Sequence, residues 1–480
     1  MKKGERYIGN VVRVDYANKG IVDIEGENCV VKNVIPGQKV EIEISKKRTG
    51  RYEGRLIQVI EKADKEIVSP CPHFDVCGGC TYMNMEYEDQ LNMKENQVKR
   101  LLSQVIDVDS PEIEFLPIKR SPHNIEYRNK MEFSFGDSYK DGPLALGLHK
   151  RGSFYDIENV VNCQLVDEDY RKILAFTSDY FKNVSFYHKM KHVGYLRHLL
   201  VRKAKKTGEI LIALVTTSKP DEGMDADFIN AWAEGIKNLE LKSDASIKGI
   251  LHIINDSLAD VVMADSIEFL YGEDYITEEL LGLKFKISTF SFFQTNSLGA
   301  EVLYSTARDF ILSTRKEDGR FATVFDLYSG TGTIAQLMSP VAEKVIGVEI
   351  VEEAVEAAKV NAKLNGIENC EFIANDVLKA LDEIEDRPDF IILDPPRDGV
   401  NPKALKKIVD YGVDNLIYIS CKPTSLVRDL ELILGNGYKV KKVCCVDMFP
   451  NASHVETVVL MSKGAVRPVD ERFARTGAEA

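Results

Sequence analysis

A cysteine at the end of an apolar run is the residue of this chain best suited to covalent chemistry. Cys421 follows Leu416-Ile-Tyr-Ile-Ser, a run that predicts a buried strand with the thiol emerging at its carboxyl end. Two earlier apolar runs end similarly, one in Ser329-Gly-Thr-Gly-Thr333 and one in Asp394-Pro-Pro-Arg397. Open parallel sheets bind ligands at the carboxyl ends of their strands. These segments therefore predict a cofactor turn, a carboxylate and a nucleophile along one edge of a sheet.

The glycine-rich turn predicts a cofactor that contains a ribose. Gly330 and Gly332 let the backbone approach a ligand without an intervening Cβ. The next apolar run ends in Glu349, nineteen residues after Gly330, where a carboxylate would accept hydrogen bonds from ribose hydroxyls. Taken alone, the turn also fits a nicotinamide site. Asp376 follows a third run and could reach an adenine edge, and the Asp394 turn follows a fourth. Together they resemble S-adenosylmethionine-dependent methyltransferases that act on bases, which we favour over a dehydrogenase.

Methylation of uracil at C5 would explain why a methyltransferase uses a thiol. The C5 atom of uracil is a poor nucleophile until a thiolate adds to C6, and a base must later remove the C5 proton. Cys421 offers the thiol, and we expect Lys422 and a helix starting after Pro423 to lower its pKa. Glu456, at the start of another apolar run, is the candidate base. Taken singly, Cys421 fits a core residue and Glu456 fits an ordinary strand-edge acid.

Residues 291–460 resemble the catalytic domain of the RNA uracil-5 methyltransferases, the family of the ribosomal and transfer RNA 5-methyluridine enzymes. The shared motifs, in the family's order, are Phe292-Phe-Gln294-Thr-Asn296, Asp326-Leu-Tyr-Ser-Gly-Thr-Gly-Thr333, Asp394-Pro-Pro-Arg-Asp-Gly399, Ser420-Cys421-Lys-Pro and His454-Val-Glu456-Thr-Val. The resemblance implies that Cys421 is the nucleophile and Glu456 the base. It implies that Asp394 also touches the uracil and that Phe292 stacks near it. The contacts to S-adenosylmethionine that it implies are Gln294, Tyr328, Thr333, Glu349, Asp376 and Asp394.

One position bears on which nucleobase is methylated, and another bears on the surroundings of the nucleophile. RNA cytosine-5 methyltransferases place a cysteine after a D-x-P turn, where this chain has Arg397, and this difference favours uracil. The uracil family often has Asn after its nucleophile, where this chain has Lys422.

A second group of cysteines predicts a metal centre. Cys71, Cys77 and Cys80 have the spacing C-x5-C-x2-C, and Cys163 is the nearest remaining cysteine downstream. Four thiolates suit either zinc or an iron–sulfur cluster, and His73 could replace a thiol in a zinc site. The family resemblance implies a [4Fe–4S] cluster on Cys71, Cys77, Cys80 and Cys163. Because methyl transfer moves no net electrons, we expect the cluster to be structural or to help shape the RNA-binding surface.

The elements that position these residues predict a multidomain α/β protein. Residues 1–62 alternate as five short strands, which indicates a small barrel of the oligonucleotide-binding type with the basic turn Lys46–Arg51 on its surface. This module resembles the TRAM domain, an RNA-binding barrel. Residues 63–290 predict an α+β domain with the cysteine cluster. Residues 291–465 alternate strands and helices, which predicts a Rossmann-like sheet, and residues 466–480 form a polar tail.

Charge and composition limit the choice of partners. The formal charge of −13 argues against indiscriminate nucleic-acid binding, but residues 186–206 carry seven Lys/Arg and no acid. That stretch fits a strip that follows a phosphate backbone and fits a solvated edge strand equally well. No apolar run is long enough to span a bilayer. We expect a cytoplasmic, monomeric enzyme without membrane partners.

The specific hypothesis is an S-adenosylmethionine-dependent methyltransferase that forms 5-methyluridine in RNA. The barrel and the cysteine cluster resemble the 23S ribosomal RNA enzymes more than the transfer RNA enzymes. A transfer RNA T-loop methyltransferase is the main alternative. A nicotinamide-dependent oxidoreductase and a non-catalytic RNA-binding protein are more remote alternatives.

Overall fold

The structure is a computed structural model that describes residues 1–48, 50–259, 263–314 and 319–463; the predicted polar tail lies outside them. Its first five strands close into a barrel in the order β1-β2-β3-β5-β4, with β4 pairing back to β1. The strands are β1 (Arg6–Asp15), β2 (Lys19–Ile24), β3 (Glu27–Val31), β4 (Lys39–Arg48) and β5 (Arg51–Glu61). Alternate side chains such as Val22, Val31 and Ile42 fill the interior, as the alternating sequence requires. The predicted five-stranded barrel is confirmed.

The chain next passes through the cysteine segment and forms helix α1 (Tyr87–Leu102) and strand β6 (Glu114–Lys119). Helix α1 has Glu88 and Asp89 in its first turn and Lys99 and Arg100 in its last turn. The acidic side chains lie near the positive end of the helix dipole and the basic ones near its negative end, which stabilises the helix. Its buried side chains include Leu91, Val98 and Leu102.

A seven-stranded mixed sheet occupies the middle of the chain, in the order β13-β12-β11-β10-β7-β8-β9. Its elements are β7 (Lys130–Asp137), β8 (Leu144–His149), β9 (Ile157–Asn159), α2 (Glu168–Tyr180), β10 (Leu196–Lys203), β11 (Glu209–Thr216), α3 (Ala226–Lys237), β12 (Ser246–Ile254) and β13 (Ser266–Gly272). The fully buried Trp232 of α3 joins the two helices by donating its indole N–H to Thr177 Oγ1 of α2 at 3.2 Å. A hairpin of β14 (Tyr275–Leu280) and β15 (Leu283–Ser288) follows.

The two interpretations of residues 186–206, a strip along a phosphate backbone and a solvated edge strand, both fail for β10. β10 lies between β11 and β7, and all eight of its residues are buried. Its basic side chains are bonded inside the protein: Arg202 donates to the carbonyl of Thr289, and Lys203 contacts Asp167 and Asp169 at 2.6 Å each. These charges hold the sheet to its neighbours, so β10 does not present them to a phosphate backbone.

An eight-stranded sheet completes the fold, in the order β18-β17-β16-β19-β20-β22-β21-β6. Its strands are β16 (Phe321–Leu327), β17 (Ala342–Glu349), β18 (Cys370–Ala374), β19 (Phe390–Leu393), β20 (Asn415–Ser420), β21 (Tyr438–Val446) and β22 (Glu456–Lys463). Its helices are α4 (Ser297–Leu312), α5 (Thr333–Met338), a 3-10 turn (Ser339–Val341), α6 (Glu352–Leu364), α7 (Val377–Glu383), α8 (Pro402–Asp410) and α9 (Pro423–Gly435). The first five strands in the order run parallel, and β22 is antiparallel to β20.

One strand of this sheet comes from far upstream. β6 pairs in parallel with β21, so a segment that precedes the central sheet forms the outer edge of the C-terminal sheet. Helix α1 packs beside it, with Val98 and Leu102 in the same apolar layer as Leu430 of α9. The boundaries at residues 62, 290 and 465 stay predictions, and residues 87–119 belong to the C-terminal layers by strand pairing.

Candidate active site

Three parallel strands end side by side at one edge of the eight-stranded sheet. Leu327 of β16 pairs with Leu393 of β19, and Leu393 pairs with Tyr418 of β20. The residues that follow these strands therefore emerge together, because parallel strands point their carboxyl ends the same way. This edge carries the glycine turn after β16, Asp394 after β19 and Cys421 after β20.

The thiol and the candidate base are neighbours across an antiparallel pair. Ser420 of β20 pairs with Thr457 of β22, which sets Cys421 next to Glu456 at the end of the ladder. Glu456 is buried, and burial raises its pKa to about 8, with the Asp394 carboxylate adding to the rise and Arg397 opposing it. A carboxyl group with a pKa near neutrality can both accept and release a proton during turnover.

The loop that carries Glu456 is fixed by helix α1. Lys94 Nζ donates to Asp447 Oδ1 at 2.6 Å and to the Phe449 carbonyl at 2.9 Å, and both charged side chains are fully buried. Gln90 Nε2 donates to Asn451 Oδ1 at 3.0 Å. Buried charge-assisted bonds restrict alternative loop conformations, because breaking one leaves an unpaired charge in the interior. The loop before the candidate base thus depends on a helix more than 350 residues away in sequence.

The expectation that Lys422 and a helix start lower the pKa of Cys421 is wrong. The pKa of the thiol is raised to about 11, first by burial and then by the Glu456 and Asp394 charges. Arg397 is the cation that lowers it. Lys422 Nζ lies 3.9 Å from an Asp398 oxygen instead. Sequence reasoning used Arg397 only to distinguish uracil from cytosine, although its place in the turn after Asp394 puts it at the same edge.

Two aspartates near the thiol have pKa values raised by burial. Asp394 is half-buried and its pKa rises to about 7. The pKa of Asp326, which is fully buried, rises to about 8, first from burial and then from the Asp394 charge. One oxygen of Asp326 accepts from the Ala335 N–H at 2.9 Å, while Oδ1 has no hydrogen-bond partner in the structure. The sequence prediction quoted Asp326 within a motif but gave it no role.

The glycine turn has the backbone that close approach to a ligand requires. Gly332 has φ +73°, and a Cβ there would lie 2.6 Å from the Phe372 ring and 2.9 Å from Ala358. Tyr328 also has a positive φ, 72°, which is unusual for a residue with a bulky side chain. Thr333 is buried and begins α5.

The two predicted ribose and adenine carboxylates flank this turn. Glu349 Oε2 accepts from the Gly330 N–H at 3.1 Å, while its Oε1 accepts from Val351 N–H at 3.0 Å. Asp376 caps α7 by accepting from the Leu378 N–H at 3.0 Å, and its charge raises the pKa of Tyr328 after burial. Glu349, Asp376 and Tyr328 thus surround the turn on the side of β17 and β18.

Gln294 and Phe292 lie in the segment between β15 and α4. Asn129 fixes this segment by donating to the Gln294 carbonyl at 2.8 Å and, through its backbone N–H, to the Thr295 carbonyl at 2.9 Å. The Gln294 side chain hydrogen-bonds Tyr304, whose pKa is raised by burial and then by Asp394. Phe292 is 75% exposed, a ring open to stacking.

The four predicted ligand cysteines line one cavity away from this edge. Cys71, Cys77, Cys80 and Cys163 surround it together with apolar side chains such as Leu148 and Val160. His73 also lines the cavity, with Nδ1 at 3.5 Å from Glu158. The described residues contain no compact group of three or more His, Cys, Asp or Glu side chains arranged for a single metal ion.

Comparison with known proteins identifies the family. The sequence profile of the family described as tRNA (uracil-5-)-methyltransferase matches residues 86–464. The chain belongs to this family. A protein named as an uncharacterized RNA methyltransferase from Caldanaerobacter subterraneus subsp. tengcongensis is 49% identical over 96% of this chain and 100% of its own. Another with the same description, from Clostridium tetani, is 48% identical over 96% and 98%.

A solved structure has the same fold as this uracil-5 methyltransferase. It is the Pyrococcus abyssi tRNA (uracil-54, C5)-methyltransferase in complex with S-adenosyl-L-homocysteine. The TM-score is 0.71 at 24% identity, covering 94% of this chain and all of the other. The S-adenosylmethionine methyltransferase fold predicted from the strand ends is confirmed. The chain is thus an S-adenosylmethionine-dependent RNA uracil-5 methyltransferase. Within its described residues no helix combines the length and apolar character needed to cross a membrane.

Proposed function

We propose that this enzyme forms 5-methyluridine in 23S ribosomal RNA, with Cys421 as nucleophile and Glu456 as base. The observation that carries these roles is the register of β20 and β22, in which a thiol and a buried carboxyl group are neighbours. Asp394 contributes to the raised pKa of both groups, as expected for three acidic groups that share one small space.

The proposed reaction begins when Cys421, as the thiolate, forms a bond between Sγ and uracil C6. The electron pair of the C5–C6 double bond moves to the C4 carbonyl, and the resulting enolate makes C5 nucleophilic. S-adenosylmethionine, when bound, supplies the methyl group that C5 accepts. Glu456 then takes the C5 proton, the electron pair reforms the C5–C6 double bond, and the Cys421 thiolate leaves. Atoms and charge balance, because the proton on Glu456 replaces the positive charge that the methyl donor loses.

Asp394 suits the enolate step in this scheme. With a pKa of about 7, the carboxyl group is partly protonated near neutral pH. A neutral carboxylic acid can donate a hydrogen bond to a carbonyl oxygen on which negative charge develops. Phe292 would stack on the uracil after it leaves its base stack, an extrusion that enzymes acting on bases require.

The cofactor contacts follow from the turn after β16. Gln294, Tyr328, Thr333, Glu349, Asp376 and Asp394 are the proposed contacts. Gly330 has φ +53° and open space where a Cβ would lie, which supports a backbone cradle here. Tyr328 is held by its N–H bond to the Val348 carbonyl at 2.9 Å, which aims the residue from a strained backbone conformation.

The N-terminal barrel is the proposed holder of flanking RNA, in the manner of the TRAM domains it resembles. Lys46, Lys47 and Arg48 at the end of β4 pair with the start of β5, and these basic side chains and Arg51 are exposed. Exposed lysine and arginine side chains bind phosphates and make affinity depend on salt. We place the enzyme in the cytoplasm as a monomer.

The cysteine cavity fits a [4Fe–4S] cluster held by Cys71, Cys77, Cys80 and Cys163. Four thiols facing one buried, mostly apolar space form the donor set that such a cluster requires. Methyl transfer moves no net electrons, so the proposed role is structural. Arg151 supports the loop by donating to the carbonyls of Phe74 and Cys80 at 2.9 Å each.

The choice of ribosomal over transfer RNA rests on the resemblance of the barrel and the cysteine cluster to the 23S enzymes. Transfer RNA is the second candidate, favoured by the description of the family profile and by the Pyrococcus abyssi enzyme's title. Mapping the 5-methyluridines lost from ribosomal and transfer RNA when the gene is deleted tests the choice. Loss from 23S RNA alone supports the proposal, whereas loss from the T-loop alone overturns it.

A further inference from the structure

The turn between the first two barrel strands is locked against the catalytic layers. Gln97 Nε2 of α1 donates to the Val14 carbonyl at 3.0 Å, and both residues are buried. The Arg100 guanidinium of the same helix pairs with the Asp15 carboxylate. Because these bonds hold consecutive residues of β1, the turn that follows them has a fixed position relative to α1.

This turn places a tyrosine of the barrel on the backbone of the nucleophile. The Tyr16 hydroxyl donates to the Cys421 carbonyl at 3.4 Å, a long hydrogen bond between residues 405 apart in sequence. The ring is 7% exposed and packs in the same apolar layer as Val98 and Val455. Val455 precedes Glu456, and the charges of both Cys421 and Glu456 act on Tyr16, so Tyr16 lies near both proposed reacting groups.

The electrostatics agree with this position. The pKa of Tyr16 rises to about 12, first from burial and then from the negative charges of Cys421 and Glu456. The hydroxyl therefore keeps its proton across the working pH range and remains a donor. Arg397, which lowers the pKa of Cys421, also lowers that of Tyr16, so all four groups share one neighbourhood.

The Cys421 carbonyl is a sensitive place for such a bond. β20 ends at Ser420 and α9 begins at Pro423, so Cys421 lies in the short junction between strand and helix. The Lys422 carbonyl already accepts from the Ser425 N–H at 2.9 Å in the first turn of α9. Fixing the preceding carbonyl as well determines the orientation of the Cys421–Lys422 peptide, and with it the direction of the thiol.

We propose that Tyr16 is a positioning residue for the nucleophile, through which the N-terminal barrel completes the active site. This inference rests on the proposed function, because it takes Cys421 as the attacking group. The simplest alternative is that the ring only fills space between the barrel and α1. The two roles separate at the hydroxyl group, because phenylalanine keeps the ring and loses the donor.

The test compares Tyr16→Phe with wild type in three measurements: RNA affinity, single-turnover methylation, and the rate of covalent adduct formation with RNA containing 5-fluorouridine. We expect adduct formation and methylation to slow about fivefold to tenfold, the loss typical of one neutral hydrogen bond. RNA affinity should stay within about twofold. Tyr7→Phe is the matched control, because Tyr7 lies in β1, which ends just before Tyr16, and its hydroxyl donates to Glu5 at 2.5 Å.

Each outcome decides between the roles. Adduct formation at the wild-type rate in Tyr16→Phe overturns the inference, and so does a loss confined to RNA affinity. If wild type itself forms no adduct, the proposed function fails and this inference fails with it. Alkylation of Cys421 by iodoacetamide is a second measurement that needs no RNA: an unchanged rate in Tyr16→Phe also contradicts the inference, whatever the variant's thermal stability.

Discussion

Cys421 and Glu456 are neighbours across the antiparallel pair β20 and β22, because Ser420 pairs with Thr457. Directly opposed residues of such a pair have Cβ atoms about 5 Å apart. The positions of the proposed nucleophile and the proposed base are therefore set by backbone hydrogen bonds of the strand pair. Their separation should survive conservative substitution of either side chain, which makes each role testable alone.

Replacing Glu456 with Gln should trap the covalent intermediate. The variant keeps the shape of the side chain but cannot accept the C5 proton, so Cys421 should remain bonded to C6 of a methylated uracil. We expect a slowly migrating RNA–protein adduct on a denaturing gel and turnover reduced by about 10²-fold or more. Glu343→Gln, an exposed acid of β17, should behave as wild type. Absence of the adduct would contradict the assignment of the base, and Cys421→Ala should abolish both adduct and methylation.

Alkylation of Cys421 should respond to the charge of Glu456. With the pKa of the thiol near 11, reaction with iodoacetamide should be slow at pH 7 and rise steeply above pH 9. Glu456→Gln removes a negative charge that raises this pKa, so we expect the variant to react several times faster at pH 9.5. Below pH 7 Glu456 is largely protonated, with a pKa of about 8, and the two proteins should react alike. Mass spectrometry of the Cys421 peptide measures the rates; equal rates at pH 9.5 would exclude electrostatic contact between the two groups.

The same substitution should change how stability depends on pH. The pKa of Glu456 rises from 4.5 to about 8 on folding, so between these values the folded state holds more protons than the unfolded state. Wild-type stability attributable to this group therefore falls as pH rises through this window. Glu456→Gln does not titrate, and its free energy of unfolding should exceed that of wild type by up to about 4 kcal/mol at pH 8.5. Urea unfolding at pH 5 and pH 8.5 measures this; a difference that shrinks with rising pH would have the wrong sign.

Gly332→Ala should damage the cofactor site through both backbone and packing. Its φ of +73° disfavours alanine, and the new Cβ would clash with the Phe372 ring and Ala358. We expect S-adenosylmethionine affinity to fall at least about tenfold, with a stability loss on the order of 1–3 kcal/mol. Gly366→Ala is the matched control, because Gly366 has φ +65° but open space around a Cβ. Isothermal titration measures the S-adenosylmethionine affinity apart from the stability. Equal losses of affinity in Gly332→Ala and Gly366→Ala would show that packing at Gly332 does not matter.

The cysteine cavity should hold iron. Protein purified without oxygen should be brown and contain about four irons per chain. Cys163→Ser should reduce the iron content, because it removes one of four thiols lining the cavity. Cys370→Ser lies outside that cavity and should keep the iron. A colourless protein with one zinc per chain would refute the cluster assignment.

The strand ends could be predicted from sequence because their signals are local. An apolar run followed by Gly, Asp or Cys predicts both the strand and the residue that emerges from it, as at Leu327, Leu393 and Ser420. The basic residues around β10 show where this fails. Arg202 and Lys203 look solvated until their partners are known, and those partners, Thr289 and Asp167, come from other elements.

No local sequence pattern predicts that residues of the N-terminal third contact the candidate active site. Tyr16 and Lys94 are unremarkable in their local patterns, yet they contact Cys421 and Asp447. Such pairs depend on how the barrel and α1 dock on the sheet, and tertiary docking has no local periodicity to detect. Arg397 differs from these pairs, because its place in the turn after Asp394 is a local signal for its effect on the Cys421 thiol.

The pairing of β6 with β21 has a consequence for biosynthesis. The chain emerges from the ribosome with Glu114–Lys119 some 300 residues before its partner Tyr438–Val446. During that interval β6 has no neighbour on its β21 side, and its apolar side chains are open to other chains. In a fragment that starts at residue 291, β6 and α1 would be missing. β21 would then be an unpaired edge strand of the sheet. Production of the catalytic sheet alone should therefore give aggregation, and co-expression of residues 62–125 should relieve it.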